Sequence, residues 1–285
     1  PEMDTPFMYV YDFLYDRDIT PAALTGLGTR YWASGVGQLY ARSSWDQGAT
    51  WFNFIGGPYT ESHAHQDQGS FMIYKGGWLA YDGVVDSTSG ITQEVEAHSV
   101  LRFSAGGSTV EMEEPTTSEM LAVRGGAGYV YASANLLPAF AGKAEVSEWT
   151  RDVVFLEPDV VVVYDRANST GAEQIWQLVA PSAFTIGGNG GTMSSGGHDL
   201  AVTRHLPIGA AYANTALSGD FSGGFRFEST APAGNQRHLH VISLDGAVTA
   251  QTALNGASTD GVTLSFTADG IRRPSDAPAR RLIQM

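Results

Sequence analysis

The sequence predicts an all-β protein: a large antiparallel β-sandwich of many strands. Three observations predict it. Short apolar runs with period-two character fill the chain from residue 37 onward. The 34 glycines and 12 prolines fall mostly between those runs, and almost no stretch after residue 35 repeats its apolar residues at helical spacing. Hydrophobic residues make up 43% of the 285 and charged residues only 16%, so the chain can bury a core and is too apolar to be disordered. Half-apolar strands of this kind close their faces by packing sheet on sheet.

The elements follow in order. Residues 5–35 do not alternate. Phe7, Met8, Val10, Tyr11, Phe13 and Leu14 are dense enough for a buried helix, and Thr20-Pro21 reads as an N-cap with proline at the first helical position, opening a short turn or helix through Ala23 and Leu24. Residues 1–35 are therefore expected to form a helical tail or linker, and residues 36–285 a single sandwich domain. Within it, 38–42 and 50–55 read as successive strands. The runs 70–74 and 78–81 flank Lys75-Gly76-Gly77, a hairpin turn, and 153–155 and 160–164 flank a second turn at Leu156-Glu157-Pro158-Asp159. Further strands are expected near 100–104, 108–112, 120–123, 128–133, 143–149, 174–180, 199–204, 224–229, 237–244 and 262–267. The glycine-rich stretch 187–197 reads as a mobile surface turn.

Charge narrows the function. A net charge of −14 offers neither nucleic acid nor an anionic membrane a basic footprint. No apolar run approaches the roughly 18 residues of a membrane-spanning helix. There are no cysteines, hence no disulfides. An anionic ligand would need local positive charge, from a metal ion or from arginine. The chain begins at Pro1, so it is expected to be processed or excised from a longer protein.

The densest chemistry lies between residues 62 and 98. Three of the seven histidines, His63, His65 and His98, fall there with Asp67 and Asp82. His63 and His65 are two residues apart, and one of them is expected to enter a given metal's coordination shell. The turn at Gly76-Gly77 would carry Asp82 back beside the segment that follows His65. Two imidazoles and a carboxylate with an open fourth position suit zinc. The competing reading is of separate polar residues at strand ends, each satisfied by backbone. No C-x₂-C pair or HExxH helix decides between them.

The run His63-Ala64-His65-Gln66-Asp67-Gln68-Gly69-Ser70-Phe71, then Gly76 to Gly83, then Glu96-Ala97-His98-Ser99-Val100, resembles the core motif of the heparinase II/III-like polysaccharide lyases. Residues 42–51 are similar to the strand pair preceding that motif, and 151–155 with 162–166 to a family hairpin. The resemblance covers residues 36–180 well and the remainder only in β character. It implies an α/α toroid domain joined to a C-terminal β-sandwich, with cleavage of uronic-acid polysaccharide by β-elimination in the cleft between them. It further implies His65, Asp82 and His98 as zinc ligands, zinc being preferred to calcium or manganese, and His63 as a cleft histidine assisting catalysis. The family's asparagine after the third ligand is Ser99 here. A tyrosine, an asparagine and a further histidine would come from the toroid, so this chain is expected to be the β-rich part, with a possible homodimer and a periplasmic or secreted location. Asp67 is expected to orient a metal-ligating histidine. Tyr59, Trp45 and Trp51 are expected to form a sugar-stacking wall, and Arg42 to contact the polyanion. The substrate could be a glycosaminoglycan or alginate, with low sulfation favoured by the few Lys and Arg. Two alternatives stay open: a non-catalytic carbohydrate-binding or structural sandwich, and a uronate epimerase that shares the proton abstraction.

Overall fold

Strands whose every residue is apolar must be covered on both faces, and the run Val160-Val161-Val162-Val163-Tyr164 shows how this chain does so. Val161 and Val163 enter one core, while Val160, Val162 and Tyr164 enter a second. The computed structural model describes residues 22–60, 64–83, 94–218, 223–255, 260–266 and 280–284. Its central layer is an eight-stranded sheet in the order Glu119–Gly126, Tyr129–Asn135, Val146–Leu156, Val160–Ser169, Gly234–Leu244, His198–Leu206, Gly190–Ser195 and Thr185–Gly187.

Two five-stranded sheets cover one face of it. The first runs Arg30–Ala33, Gln38–Arg42, Trp51–Ile55, Phe71–Tyr74, Trp78–Ala80; the second runs Ala211–Ala216, Phe225–Ala231, Ala172–Ala180, Leu101–Ala105, Ser108–Thr109. They lie side by side. Tyr81 N–H donates to Val179 O across the seam, and the Phe71 ring meets Trp176 at 6.3 Å. Below them Phe52 stacks on Phe155 of the central sheet at 5.6 Å. A three-stranded sheet, Val248–Asn255, Asp260–Phe266 and Arg280–Gln284, lies on the opposite side, where Val262 and Leu264 close the second core. Every strand pairing among the described residues is antiparallel. Burying each large apolar side chain contributes about 1.5–3 kcal/mol, so this doubled core carries the fold.

The all-β prediction holds, and both predicted hairpins are present, the second extended to Val146–Leu156 and Val160–Ser169. Three expectations need correction. The 22–35 segment holds one 3₁₀ turn, Leu24–Gly26, without a side-chain cap, and then the strand Arg30–Ala33 paired with Gln38–Arg42. The sheet thus begins before residue 36; four residues at a sheet edge are too few to show alternation. Residues 1–21, including the apolar patch and Thr20-Pro21, lie outside the described residues.

The glycine-rich stretch is also a strand rather than a loose turn, since Gly190–Ser195 pairs with both its neighbours. A Cβ on Gly190 would come within 1.8 Å of Val202 O, so close backbone approach explains that glycine. Finally, the expected strand 108–112 is cut to Ser108–Thr109.

Candidate metal centre

The two five-stranded sheets meet at a seam, and the three predicted ligands converge there. Phe71–Tyr74 and Trp78–Ala80 form the hairpin that returns the chain, so Asp82 emerges beside the 64–70 segment that precedes the first strand. His98 follows the 3₁₀ turn Val95–Ala97 and leads into Leu101–Ala105 of the neighbouring sheet. Gly83 N–H donates to Ala97 O at 2.9 Å, which clips the Asp82 segment to the His98 segment.

The geometry is specific. His65 Nδ1 lies 3.4 Å from one oxygen of Asp82 and His98 Nδ1 lies 3.4 Å from the other. The imidazole centroids are 5.3 Å apart, tilted by 39°. One donor atom from each of the three falls within 4.8 Å of the others. A separation of 3.4 Å is long for a hydrogen bond. It is close to the edge, about 3.3 Å, of a tetrahedron whose metal–ligand bonds are about 2.0–2.1 Å. The donor set therefore fits zinc, with His65 and Asp82 half-buried and open toward a fourth position.

Electrostatics agree with that fit. His98 is 1% exposed, and burial pushes its imidazole down to about 4, so it is neutral and available as a ligand at ordinary pH. Its Nε2 has no hydrogen-bond partner among the described residues. His65 is held above the usual value, first by hydrogen bonding to Asp82, with burial opposing. Asp67 is pushed up to about 7, first by burial and then by the nearby Asp82 charge. Its side chain accepts a long 3.4 Å hydrogen bond from Gln68 Nε2, and no hydrogen bond joins it to His65 or His98 among the described residues. The expectation that Asp67 orients a histidine is not met by direct contact; it adds negative charge beside His65 instead.

Other polar groups hold the ligand segments. Gln177 Nε2 donates to His98 O at 2.6 Å and to Val95 O at 2.8 Å. Ser99, at the position of the family's asparagine, donates its N–H to Ser70 Oγ and accepts the Val179 N–H on its own Oγ. Arg151 Nη1 donates to Gly69 O at 2.7 Å and Ser99 O at 3.0 Å, and Asp165 grips its Nε–Nη2 edge in a bidentate pair. Arg151, Asp165 and Gln177 were not predicted as site residues. A signal existed: Arg151 and Asp165 are charges in register with core positions, alternating with Trp149, Val153 and Val163.

Tyr59 drops out of the predicted sugar wall, whereas Trp45 and Trp51 stay together at a surface hollow beside Arg42. Tyr59 is 4% exposed and belongs to the main core, so neither ring face is available to a sugar. Its strand pairs with Thr116-Thr117, which turns the ring inward. Arg42 is 8% exposed, with its guanidinium 4.1 Å from the Trp45 ring and 3.7 Å from Trp51, and its Nε donates to Ser44 O. Those stacking contacts commit it to packing rather than to a polyanion. Arg42, Trp51 and Tyr74 share one row of the sheet. The segment that carries His65 enters the same sheet at Phe71, three residues or about 10 Å along the strand from Tyr74 at about 3.3 Å per residue. Trp45 binds Leu27 O through Nε1 and stays with Arg42. His63 lies outside the described residues.

The remaining histidines have structural partners. His198 meets Asp245 at 2.9 Å, His205 meets Gln251 at 2.7 Å, and His238 meets Gln174 at 3.0 Å. His240 stacks on Trp176 with centroids 3.8 Å apart.

No protein-family model and no curated protein matches the chain. Solved structures do. A heparinase III covers 91% of this chain with a TM-score of 0.70 at 13% identity. The heparan sulfate lyase HepC from Pedobacter heparinus covers 98% with a TM-score of 0.68 at 18% identity. Another heparinase III covers 87% with a TM-score of 0.60 at 13% identity. The chain shares its fold with part of these enzymes. It spans only 42%, 46% and 41% of their respective lengths.

Proposed function

We propose that this chain is the metal-binding β-sandwich part of a heparinase II/III-like polysaccharide lyase that cleaves uronic-acid polysaccharide by β-elimination. The observation that carries the reading is the convergence of His65, Asp82 and His98, with donor atoms within 4.8 Å of one another, in a fold shared with heparinase III and heparan sulfate lyase. In this reaction the C5 proton of the uronate is removed, the C4–O bond breaks, a C4=C5 double bond forms, and the departing oxygen takes a proton. The uronate carboxylate must be neutralised for the carbanion-like state to develop, and a base and an acid must move the two protons.

His65, Asp82 and His98 would hold the ion. Bound zinc would supply structural order at the seam. The sequence places His63 two residues from His65, where it is proposed to neutralise the uronate carboxylate or serve as base for one epimer. The tyrosine and asparagine that resemblance assigns to the toroid are proposed to lie on another part of the same protein. Heparan-type chains are the first substrates to assay, given what the structural neighbours act on, with alginate beside them. A periplasmic or secreted location follows from that substrate class.

The test has two stages. Metal content of the purified chain should be about one zinc, lost in His65→Ala. Any longer protein containing the chain should generate ultraviolet-absorbing unsaturated uronate from one of these polymers, and His63→Ala should abolish that signal with thermal stability nearly unchanged. A metal-free wild type would move the reading to a non-catalytic carbohydrate-binding sandwich. C5 inversion without chain cleavage would move it to an epimerase.

A further inference from the structure

We propose that the buried Arg151–Asp165 pair is the positioning element of the metal centre, fixing the spacing between the His65 and His98 segments and thereby the affinity of the site for a divalent metal. The inference rests on the metal reading above.

The ligand segments come from distant parts of the chain, and backbone pairing alone does not join 64–70 to 98–100. Two side chains do. Ser70 Oγ accepts the Ser99 N–H at 3.2 Å. Arg151 Nη1 reaches Gly69 O and Ser99 O at once, at 2.7 and 3.0 Å. Gly69 lies four residues after His65, and Ser99 directly follows His98. A shift of the guanidinium therefore moves both ligands relative to Asp82.

The guanidinium itself is fixed. Asp165 accepts from Nε at 2.7 Å and from Nη2 at 3.0 Å, and Trp149 Nε1 donates to the same carboxylate at 2.8 Å. Both members of the pair are 0% exposed. A planar fork can serve a carboxylate on one edge and two carbonyls beyond it; a lysine ammonium, a point charge on a flexible stem, cannot hold that geometry. Gly69 completes the arrangement. Its φ of +86° suits glycine, and a Cβ there would come within 2.6 Å of Leu136 Cδ1 and 2.9 Å of the Trp149 ring. The carbonyl that Arg151 holds is thus locked from the other side by the same indole that binds Asp165.

A buried pair can be replaced by apolar side chains of similar volume without loss of the fold. That separates positioning from stability. The double variant Arg151→Met with Asp165→Leu keeps the core filled and removes both carbonyl contacts. Its zinc affinity, measured by competition with a chromogenic chelator well below the melting temperature, should fall by about 10–100-fold, the range for outer-shell partners of metal ligands. In EDTA it should still unfold cooperatively above the measuring temperature, at a lowered midpoint because Trp149 Nε1 and the two carbonyls lose their partners. Arg151→Lys, which keeps the charge, should also lose zinc affinity and serves as the readout if the double variant does not fold. Wild-type affinity in a folded variant overturns the positioning role. A loss that disappears once folding of the metal-free protein is accounted for also overturns it. Absence of zinc binding in the wild type defeats the metal reading itself, which is a different result.

Discussion

Two pairs of histidines in this protein each sit with an aspartate, and they have opposite fates. His65 and His98 flank Asp82 at the seam, each 3.4 Å from one of its oxygens. His238 lies opposite Asp165 in the sheet register, with His240 two residues on, but Asp165 already receives Arg151 and Trp149. Residue types are the same in both places. What differs is which groups reach the carboxylate: two imidazoles at Asp82, an arginine and an indole at Asp165. The seam trio converges its donor atoms on one point; the core pair is absorbed into packing, with His240 flat against Trp176. Composition identifies ingredients for a metal site, and the tertiary partners of each carboxylate decide which set converges.

The largest effect that would break this contrast comes from the core. Asp165→Ala leaves Arg151 charged, buried and unpaired, and chemical denaturation of the metal-free protein should show a loss of about 3–5 kcal/mol. His65→Ala, at a half-exposed position, should cost under about 1 kcal/mol in the same assay. Comparable losses would mean that the seam is as structural as the core.

Acid separates the regions next. Burial holds His238 down to about 4 and pushes His240 well below its ordinary value, whereas an unfolded histidine titrates near 6.5. Above that value both states are neutral and there is no penalty. As the pH falls from about 6.5 toward 4 the unfolded chain gains protons that the folded chain refuses, so stability drops by up to about 3 kcal/mol from His238 alone. His98 adds a similar slope in the absence of metal. Urea midpoints between pH 7 and 4, in EDTA, should fall in wild type and fall less steeply in His238→Gln, where His98 and His240 still contribute.

Metal sharpens the contrast from the other side. Zinc at about one hundred times its dissociation constant should stabilise the wild type by about 2.7 kcal/mol. A thermal scan of Asp82→Ala or His65→Ala should show no zinc-dependent shift. The smallest effect belongs to the Arg42 stack. Trp51 is 44% exposed, and its Trp51→Ala variant should lose only about 0.5–1 kcal/mol with zinc affinity intact. A lost zinc site in that variant would show that the aromatic row and the seam are coupled.

How much was legible can be argued from particular residues. Alternation is local, so the long strands were readable wherever one face is apolar and the other polar. Short edge strands such as Arg30–Ala33 and Pro58–Tyr59 hold too few residues to alternate. Gly190–Ser195 hid because its glycines, usually a turn signal, serve here as close-approach positions. His65, Asp82 and His98 were legible from their motif and from the hairpin that returns Asp82. Tyr59 was misread because an aromatic beside a motif looks the same whether its ring faces solvent or core.

By itself the sequence determined the antiparallel β class, the two hairpins and the three donor side chains that converge at the seam, because period, turn chemistry and donor type are properties of a few adjacent residues. Only the tertiary structure decided that Val160–Tyr164 would be covered on both faces, that Arg42 would be spent between two indoles, and that Arg151 would reach two carbonyls from separate loops. Those outcomes depend on which distant surface arrives to exclude water from a side chain and which distant group arrives to satisfy its charge.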